Sequence, residues 1–136
     1  MRNYQEILSF WFGRGATNLE VIAEKSSLWW KKSPGLDKEI KHRFESLLLQ
    51  MKNDELEGWK ESADGFLAMI LLADQFSRNI YRDTPAAFEN DQLAISLCQE
   101  GMQSGKDREL KLIERVFFYM PLMHSESAEQ IGRAHV

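Results

Sequence analysis

The residues best equipped for chemistry lie close together, between positions 74 and 82. Asp74, Arg78 and Arg82 recur at intervals of four, and Gln75 and Asn79 recur at the same interval on a neighbouring stripe. On a continuous helix, residues four apart share one face, so a carboxylate and two guanidinium groups would form one row. Removing one partner of a buried ion pair costs about 3–5 kcal/mol. The cluster must therefore be paired internally or bound to a ligand.

A second group of reactive side chains follows Pro121. His124 and Glu126 could act as a general base and its orienting carboxylate, with Arg78 or Arg82 holding an anionic substrate. This is a hydrolase-type hypothesis. Residues two apart on a helix do not face each other, so it requires an irregular chain after Pro121. No activated serine or glycine-rich phosphate loop accompanies the pair.

A binding module needs fewer assumptions than an enzyme. We predict a groove for a small molecule or a protein beside the central helix, with a polar floor of Asp74, Arg78 and Asn79, near Arg82. Aromatic side chains would edge this groove, namely Trp11, Trp29 or Trp30, Tyr81 and Phe118.

A purely structural explanation of the polar cluster stays open as well. Asp74, Arg78 and Arg82 could form an internal ion network with Glu114 or Glu126. In either case we expect Asp74 and Arg78 to be buried and bonded to residues 114–126.

The elements that position these groups are all predicted to be helical. Residues 66–73 are apolar on every side at helical pitch, which indicates a central helix covered by others, with Ser62 as its cap. Other helices are expected over 4–12, from Pro34 to Asn53, from Asn90 to Met102 and over 107–119, and Pro121 should break or kink the last one. Residues 13–33 are irregular to helical, and Phe88 is expected to pack back onto the core.

These elements predict an all-α fold, an antiparallel helical bundle or hairpin stack of about six helices. No segment alternates apolar and polar residues as a strand would. We assign residues 1–130 to a single helical domain and 131–136 to an irregular, foreign or out-of-frame tail. Trp29 and Trp30 point to different faces of a regular element, so one should pack inward while the other lines a groove, unless both close the edge of the core.

Composition narrows the classes of function. The chain has 136 residues, 43% of them hydrophobic, and a formal net charge of −4, which disfavours binding to nucleic acid. It contains no apolar run of about 18 residues, so a membrane span is not expected. Cys98 is the single cysteine, and the three histidines lack the spacing of metal ligands. We predict a cytoplasmic protein without metal or cofactor.

Several motifs resemble a known bacterial family. They are Phe10-Trp11-Phe12-Gly13, Trp29-Trp30, Asp74-Gln75-Phe76-x-Arg78-Asn79-x-Tyr81-Arg82, Ala87-Phe88-x-x-Asp91, and Glu114-Arg115-x-Phe117-Phe118-Tyr119-x-Pro121-Leu122-x-His124-Ser125-Glu126. This pattern, which extends from about Tyr4 to Gln130, resembles the domain of unknown function 924 family. The resemblance implies a tetratricopeptide-like helical fold, although the 34-residue repeat is not visible, and it implies no reaction.

The resemblance also leads to a prediction about assembly. Family members look longer, with two further helices after the His-Ser-Glu motif and a second His/Arg-rich motif near their C-terminus. If those helices normally cover the central and last helices, apolar positions here lack cover, and a two-fold homodimer would supply it. The positions concerned are Leu67, Ile70, Phe117, Phe118, Met120, Leu122 and Met123.

Overall fold

A computed structural model describes the backbone of residues 3–13 and 15–134, with side chains described from residue 4 to residue 125 within those ranges. The described residues are predominantly helical and contain no strand, so the predicted all-α fold is confirmed. The α-helices are α1 (Asn3–Phe12), α2 (Asn18–Trp30), α3 (Pro34–Lys52), α4 (Ala63–Leu71), α5 (Ser77–Ile80), α6 (Asp91–Gln103) and α7 (Leu112–Ala134). A π turn, Leu72–Phe76, joins α4 and α5 into one continuous rod, which gives six helices in the described part of the chain. Single 3₁₀ turns lie at Glu57–Glu61, Pro85–Phe88 and Lys106–Glu109.

Side-chain caps determine where several helices begin. Ser33 accepts a hydrogen bond from the N–H of Leu36 ahead of α3, and Ser62 caps α4 as predicted. The segment 13–33, predicted to be irregular to helical, is mostly helical, because α2 fills it from Asn18 to Trp30. The start of α2 is a capping box, in which Thr17 Oγ1 accepts from the N–H of Glu20 at 3.2 Å and Glu20 Oε1 accepts from the N–H of Thr17 at 3.1 Å.

The central rod lies inside the bundle, as its apolar sequence predicts. Every residue of α4 except Asp64 is buried, and contacts to α1, α6 and α7 surround it. The π turn that follows is held by Leu72, whose carbonyl oxygen accepts from both the N–H and the hydroxyl of Ser77. Asn90 is buried beside this turn and donates its amide to Ser77 Oγ at 3.1 Å. This bond fixes the start of α6 against the π turn.

The last helix differs from its prediction. It begins at Leu112 instead of residue 107, and it passes through Pro121 without ending, reaching Ala134. Pro121 only withholds one N–H from the Phe117 carbonyl, and the helix around it is held by packing against α4 and α6. The segment 131–136, expected to be irregular, is therefore helical to Ala134, and its last two residues lie outside the described ones.

The core is built largely from aromatic side chains. Trp11 meets Phe76 and Phe117 edge-to-face at 5.5 Å, and Trp29 donates its indole N–H to the Trp11 carbonyl at 2.8 Å. Close packing extends to α6, where a Cβ on Gly101 would lie 2.5 Å from Phe118. Phe88 was expected to pack back, but its short 3₁₀ turn leaves the ring 60% exposed.

No helix within the described part of the chain is both long enough and apolar enough to cross a lipid bilayer.

Candidate functional site

Asp74 is the most deeply buried charged residue near the centre of the fold, with 1% of its surface exposed. Its Oδ1 accepts from Arg78 Nη1 at 2.7 Å and lies 3.0 Å from Nδ1 of His124 on α7. Gln75 donates to the other carboxylate oxygen at 3.1 Å. The prediction that Asp74 and Arg78 are buried and bonded to residues 114–126 is thus confirmed for Asp74. It is wrong for Arg78, which is partly exposed and bonds Asp74 and Asp91 instead.

The backbone around Asp74 is unusual. Asp74 is the middle residue of the π turn, and π turns inside helices are found often at functional sites. The turn preserves the four-residue spacing that brings Arg78 to Asp74. It does not extend the stripe to Arg82, because α5 ends at Ile80 and Asp83 then takes a left-handed conformation with φ of 67°.

Asp91, the first residue of α6, is the third partner of this cluster. Its Oδ1 lies 3.3 Å from Arg78 Nη2, is buried, and has no hydrogen-bond partner among the described residues. Burial, together with the negative charge of Asp74, raises the pKa of the Asp91 carboxyl despite the opposing charges of Arg78 and His124. Arg78 is therefore shared between two carboxylates and neutralises Asp91 incompletely.

These groups line a pocket of about 180 Å³ between the π turn, α6 and α7. We call it the Asp74 pocket; its walls are Asp74, Asp91, Gln92, Ile95, Pro121, His124 and Ser125. Because His124 Nδ1 is engaged by Asp74, the ring nitrogen left for a ligand is Nε2. Among the described residues no three His, Cys, Asp or Glu side chains are arranged to hold a metal ion.

The remaining predicted polar residues form a separate cluster on α3. Arg82 bonds Asp37 in a two-pronged manner, Nε to Oδ2 at 2.7 Å and Nη2 to Oδ1 at 3.2 Å, and Asn79 donates to Oδ1 at 2.9 Å. We call these three residues the Asp37 clamp. Burial alone would raise the pKa of Asp37, but the hydrogen bonds from Arg82 and Asn79 and the charge of Arg82 outweigh it and lower the pKa.

Tyr81 belongs to the same α3 contact. Its hydroxyl donates to Glu45 Oε2 at 2.9 Å, and burial together with this carboxylate raises the pKa of Tyr81 to about 12.

The aromatic residues predicted to edge one groove do not meet there. Trp11 and Phe118 are core residues, with 1% and 0% exposure, because they fill the space between α1, α6 and α7. Trp29 is buried, whereas Trp30 is 63% exposed and stacks on Phe117 with 5.9 Å between ring centroids. The two tryptophans thus point to different faces, but neither is among the residues that line the Asp74 pocket.

The predicted ion network is also only partly formed. Asp74 pairs with Arg78, but Arg82 pairs with Asp37 and Glu114 accepts the N–H of Lys111 at the start of α7. The carboxylate that holds His124 is Asp74, while positions 124 and 126 lie on different faces of α7 because the helix continues past Pro121. The Glu126 side chain lies outside the described residues.

Sequence reasoning gave no role to two carboxylates of these clusters, Asp91 and Asp37. Asp91 is part of the motif Ala87-Phe88-x-x-Asp91 and is the first residue of α6, and these two features could have identified it as a site residue. Asp37 lies 45 residues from Arg82 and carries no local signal.

Comparison with known proteins supports the family assignment. A solved structure of a protein of unknown function from Agrobacterium tumefaciens is 31% identical to this chain, with a TM-score of 0.78. The match covers 90% of this chain and 64% of that one, so the chain spans less than two thirds of its structural relative. No curated protein matches the chain. The family described as bacterial protein of unknown function (DUF924) matches residues 7–135, and the chain therefore belongs to this family.

Proposed function

We propose that the protein binds a small molecule in the Asp74 pocket. The observation that carries this proposal is the imidazole of His124, held at 3.0 Å by the buried carboxylate of Asp74 and lining a pocket. A buried charge fixes the ring orientation, and the pocket brings hydroxyl, amide and carboxylate groups together around it. A π turn at its base is a further feature typical of binding sites.

The contacts of the two arginines argue against the anionic substrate predicted for them. Arg78 is bonded to Asp74 and Asp91, and Arg82 is bonded to Asp37. An anion would have to displace carboxylates from both guanidinium groups. We therefore propose that the binding site predicted beside the central helix is the Asp74 pocket, whose lining residues, apart from Asp74, differ from those predicted for the groove.

Nuclear magnetic resonance titration with a library of small polar fragments tests this proposal. We expect saturable shifts at the amides of Gln92, Ile95 and Ser125, and we expect His124→Gln to abolish them. His42→Gln is the matched control, because His42 is exposed on α3 and remote from the pocket. Absence of any saturable shift at these amides, or equal shifts in the His124→Gln protein, would contradict the proposal.

A second candidate function is general-base catalysis, which the Asp74–His124 contact favours. A carboxylate on Nδ1 fixes the tautomer of the imidazole and leaves Nε2 to accept a proton from a bound substrate. Asp74 thus takes the orienting role that the sequence suggested for Glu126. Turnover of a bound fragment that Asp74→Asn abolishes while the amide shifts persist would support catalysis, and binding without turnover would leave the binding function alone.

Assembly and compartment stay proposals as well. Five of the seven apolar positions expected to lack cover are buried within the chain, namely Leu67, Ile70, Phe117, Phe118 and Met120. A homodimer now rests on fewer side chains, chiefly Met123, half exposed on α7, together with Val116 and Leu112 of the same helix. Light scattering at micromolar concentration tests it, and a strict monomer of 15.8 kDa would overturn it. A cytoplasmic location is proposed from the sequence, and the tetratricopeptide-like arrangement from the family resemblance.

A further inference from the structure

The charge balance of the Asp74 pocket indicates the class of its ligand. Two carboxylates, Asp74 and Asp91, share one guanidinium group, so the site has formally one negative charge in excess when His124 is neutral. The Asp37 clamp has no such excess, since one guanidinium faces one carboxylate. A charge that lacks a full partner favours a ligand of opposite sign.

The geometry of Asp91 locates that excess at the pocket wall. Its Oδ1 is buried against Arg78 Nη2, so the carboxylate oxygen accessible to a ligand is Oδ2, with about a third of the side chain exposed. The only hydrogen bond to Oδ2 among the described residues is long, at 3.4 Å from the same Arg78 nitrogen. The raised pKa of Asp91 has the same origin, a carboxylate taken from water without full neutralisation.

The other walls favour a short ligand that has both polar and apolar parts. A pocket of 180 Å³ holds about six water molecules at roughly 30 Å³ each, so the ligand has a similar number of non-hydrogen atoms or fewer. His124, Gln92 and Ser125 supply hydrogen-bonding groups, and the lining as a whole, which includes Ile95 and Pro121, exposes more apolar than polar surface.

From this arrangement we infer that the ligand of the Asp74 pocket is a small primary ammonium compound. Its cationic group lies against Asp91 Oδ2, and its polar remainder bonds His124 Nε2. This inference rests on the proposed binding function and specifies the chemistry of its ligand.

Three probes of nearly equal size test the ligand class on the unaltered protein. Ethanolamine carries a cation, ethylene glycol is its uncharged counterpart, and glycolate is an anion. We expect ethanolamine to give saturable shifts at Gln92, Ile95 and Ser125, weakened by added salt, and to bind at least about tenfold more tightly than ethylene glycol. The inference would be overturned if glycolate bound more tightly than ethanolamine, or if ethylene glycol bound as tightly as ethanolamine. Absence of saturable ethanolamine binding would overturn it as well.

A variant pair then assigns the charge to one carboxylate. Asp91→Asn should weaken ethanolamine binding about tenfold or more, because the amide keeps the shape of Asp91 without its charge. Asp83→Asn is the matched control, since Asp83 lies in an exposed turn, where it forms a long ion pair with Lys32 at 3.8 Å. Unchanged affinity in Asp91→Asn, with folding verified by circular dichroism, would also overturn the inference.

The outcomes separate this inference from the proposed function. If neutral or anionic fragments shift the pocket amides while ethanolamine does not, the ligand class is wrong and the binding function stands. If no fragment of any charge shifts those amides, both are wrong.

Discussion

The Asp74 pocket and the Asp37 clamp are two carboxylate–arginine clusters at opposite ends of residues 74–82. They differ in the balance between carboxylate and guanidinium charges. In the clamp, one guanidinium and one amide satisfy a single carboxylate, and the pKa of Asp37 is lowered. In the pocket, one guanidinium is divided between two carboxylates, and the pKa of Asp91 is raised. A fully paired cluster holds two helices together, whereas a carboxylate that is incompletely neutralised beside a cavity can also bind a ligand.

Neighbouring structure explains the difference. The clamp ties α3 to the end of α5, where the chain turns. The pocket lies at the π turn, where Ser77 and Asn90 hold the start of α6 beside Arg78. Two carboxylates are thereby kept close together by backbone geometry, at an electrostatic cost that a bound cation would relieve.

The largest effect is expected from Asp74→Ala. This change leaves Arg78 and His124 without their buried partner, and it should lower the free energy of unfolding by about 3 kcal/mol. Urea denaturation followed by circular dichroism measures the loss. Asp83→Asn, at an exposed turn whose left-handed backbone asparagine tolerates, should change stability by less than about 0.5 kcal/mol. A loss as small as that in Asp74→Ala would mean that Asp74 is not the centre of a buried network.

Asp37→Ala should have the next largest effect, about 2 kcal/mol, because it removes three hydrogen bonds from partly buried partners. Stability should fall, while the affinity of the fragments, measured from the amide shifts of Gln92 and Ile95, should not change. This outcome would separate a structural cluster from a binding cluster. Weakened fragment binding in a folded Asp37→Ala protein would show instead that the two clusters act together.

The comparison also shows what the sequence can and cannot predict. The apolar run before Asp74 and the interval to Arg78 are local features, and both the central helix and the ion pair were predicted from them. Arg82 was placed in the same row because helical periodicity was extended through the turn at Asp83, where a left-handed residue ends it. Its partner Asp37 is 45 residues away, and such a pairing depends on how α3 packs, which no local pattern encodes.

The π turn and α7 illustrate the same limit. One extra residue in a helical turn leaves no mark on apolar periodicity, so the Ser77 and Asn90 contacts that form the pocket were not foreseen. Pro121 is unfavourable for a helix by local rules, yet packing of α7 against α4 and α6 prevails. Tertiary contacts thus decided the features on which the candidate site depends.

Tyr81→Phe should produce a smaller effect, about 1 kcal/mol, by removing one hydrogen bond to Glu45 in the α3 contact. Ligand binding in the Asp74 pocket should not change. Ultraviolet titration offers an independent measurement, since the tyrosine with a pKa of about 12 should be absent from the variant. Identical titration curves for the variant and the unaltered protein at high pH would contradict the Tyr81–Glu45 contact.

The subtlest test compares how the two clusters respond to pH, because the pKa shifts of Asp37 and Asp91 have opposite signs. The lowered pKa of Asp37 contributes stability above the unfolded pKa of about 3.9, and this contribution is lost as pH falls through the folded pKa. The free energy of unfolding of Asp37→Asn should therefore drop further below that of the unaltered protein as pH rises from acid to neutral.

Asp91 should behave in the reverse way. Its raised pKa contributes stability that is fully present below about pH 3.9 and is lost as pH rises through the folded pKa. The free energy of unfolding of Asp91→Asn should therefore rise relative to that of the unaltered protein over the same pH range. Denaturation midpoints of both variants measured between acid and neutral pH give two slopes of opposite sign if the clusters differ as described. Slopes of the same sign would mean that Asp91 is as fully paired as Asp37, which would remove the electrostatic reason for expecting a cation in the pocket.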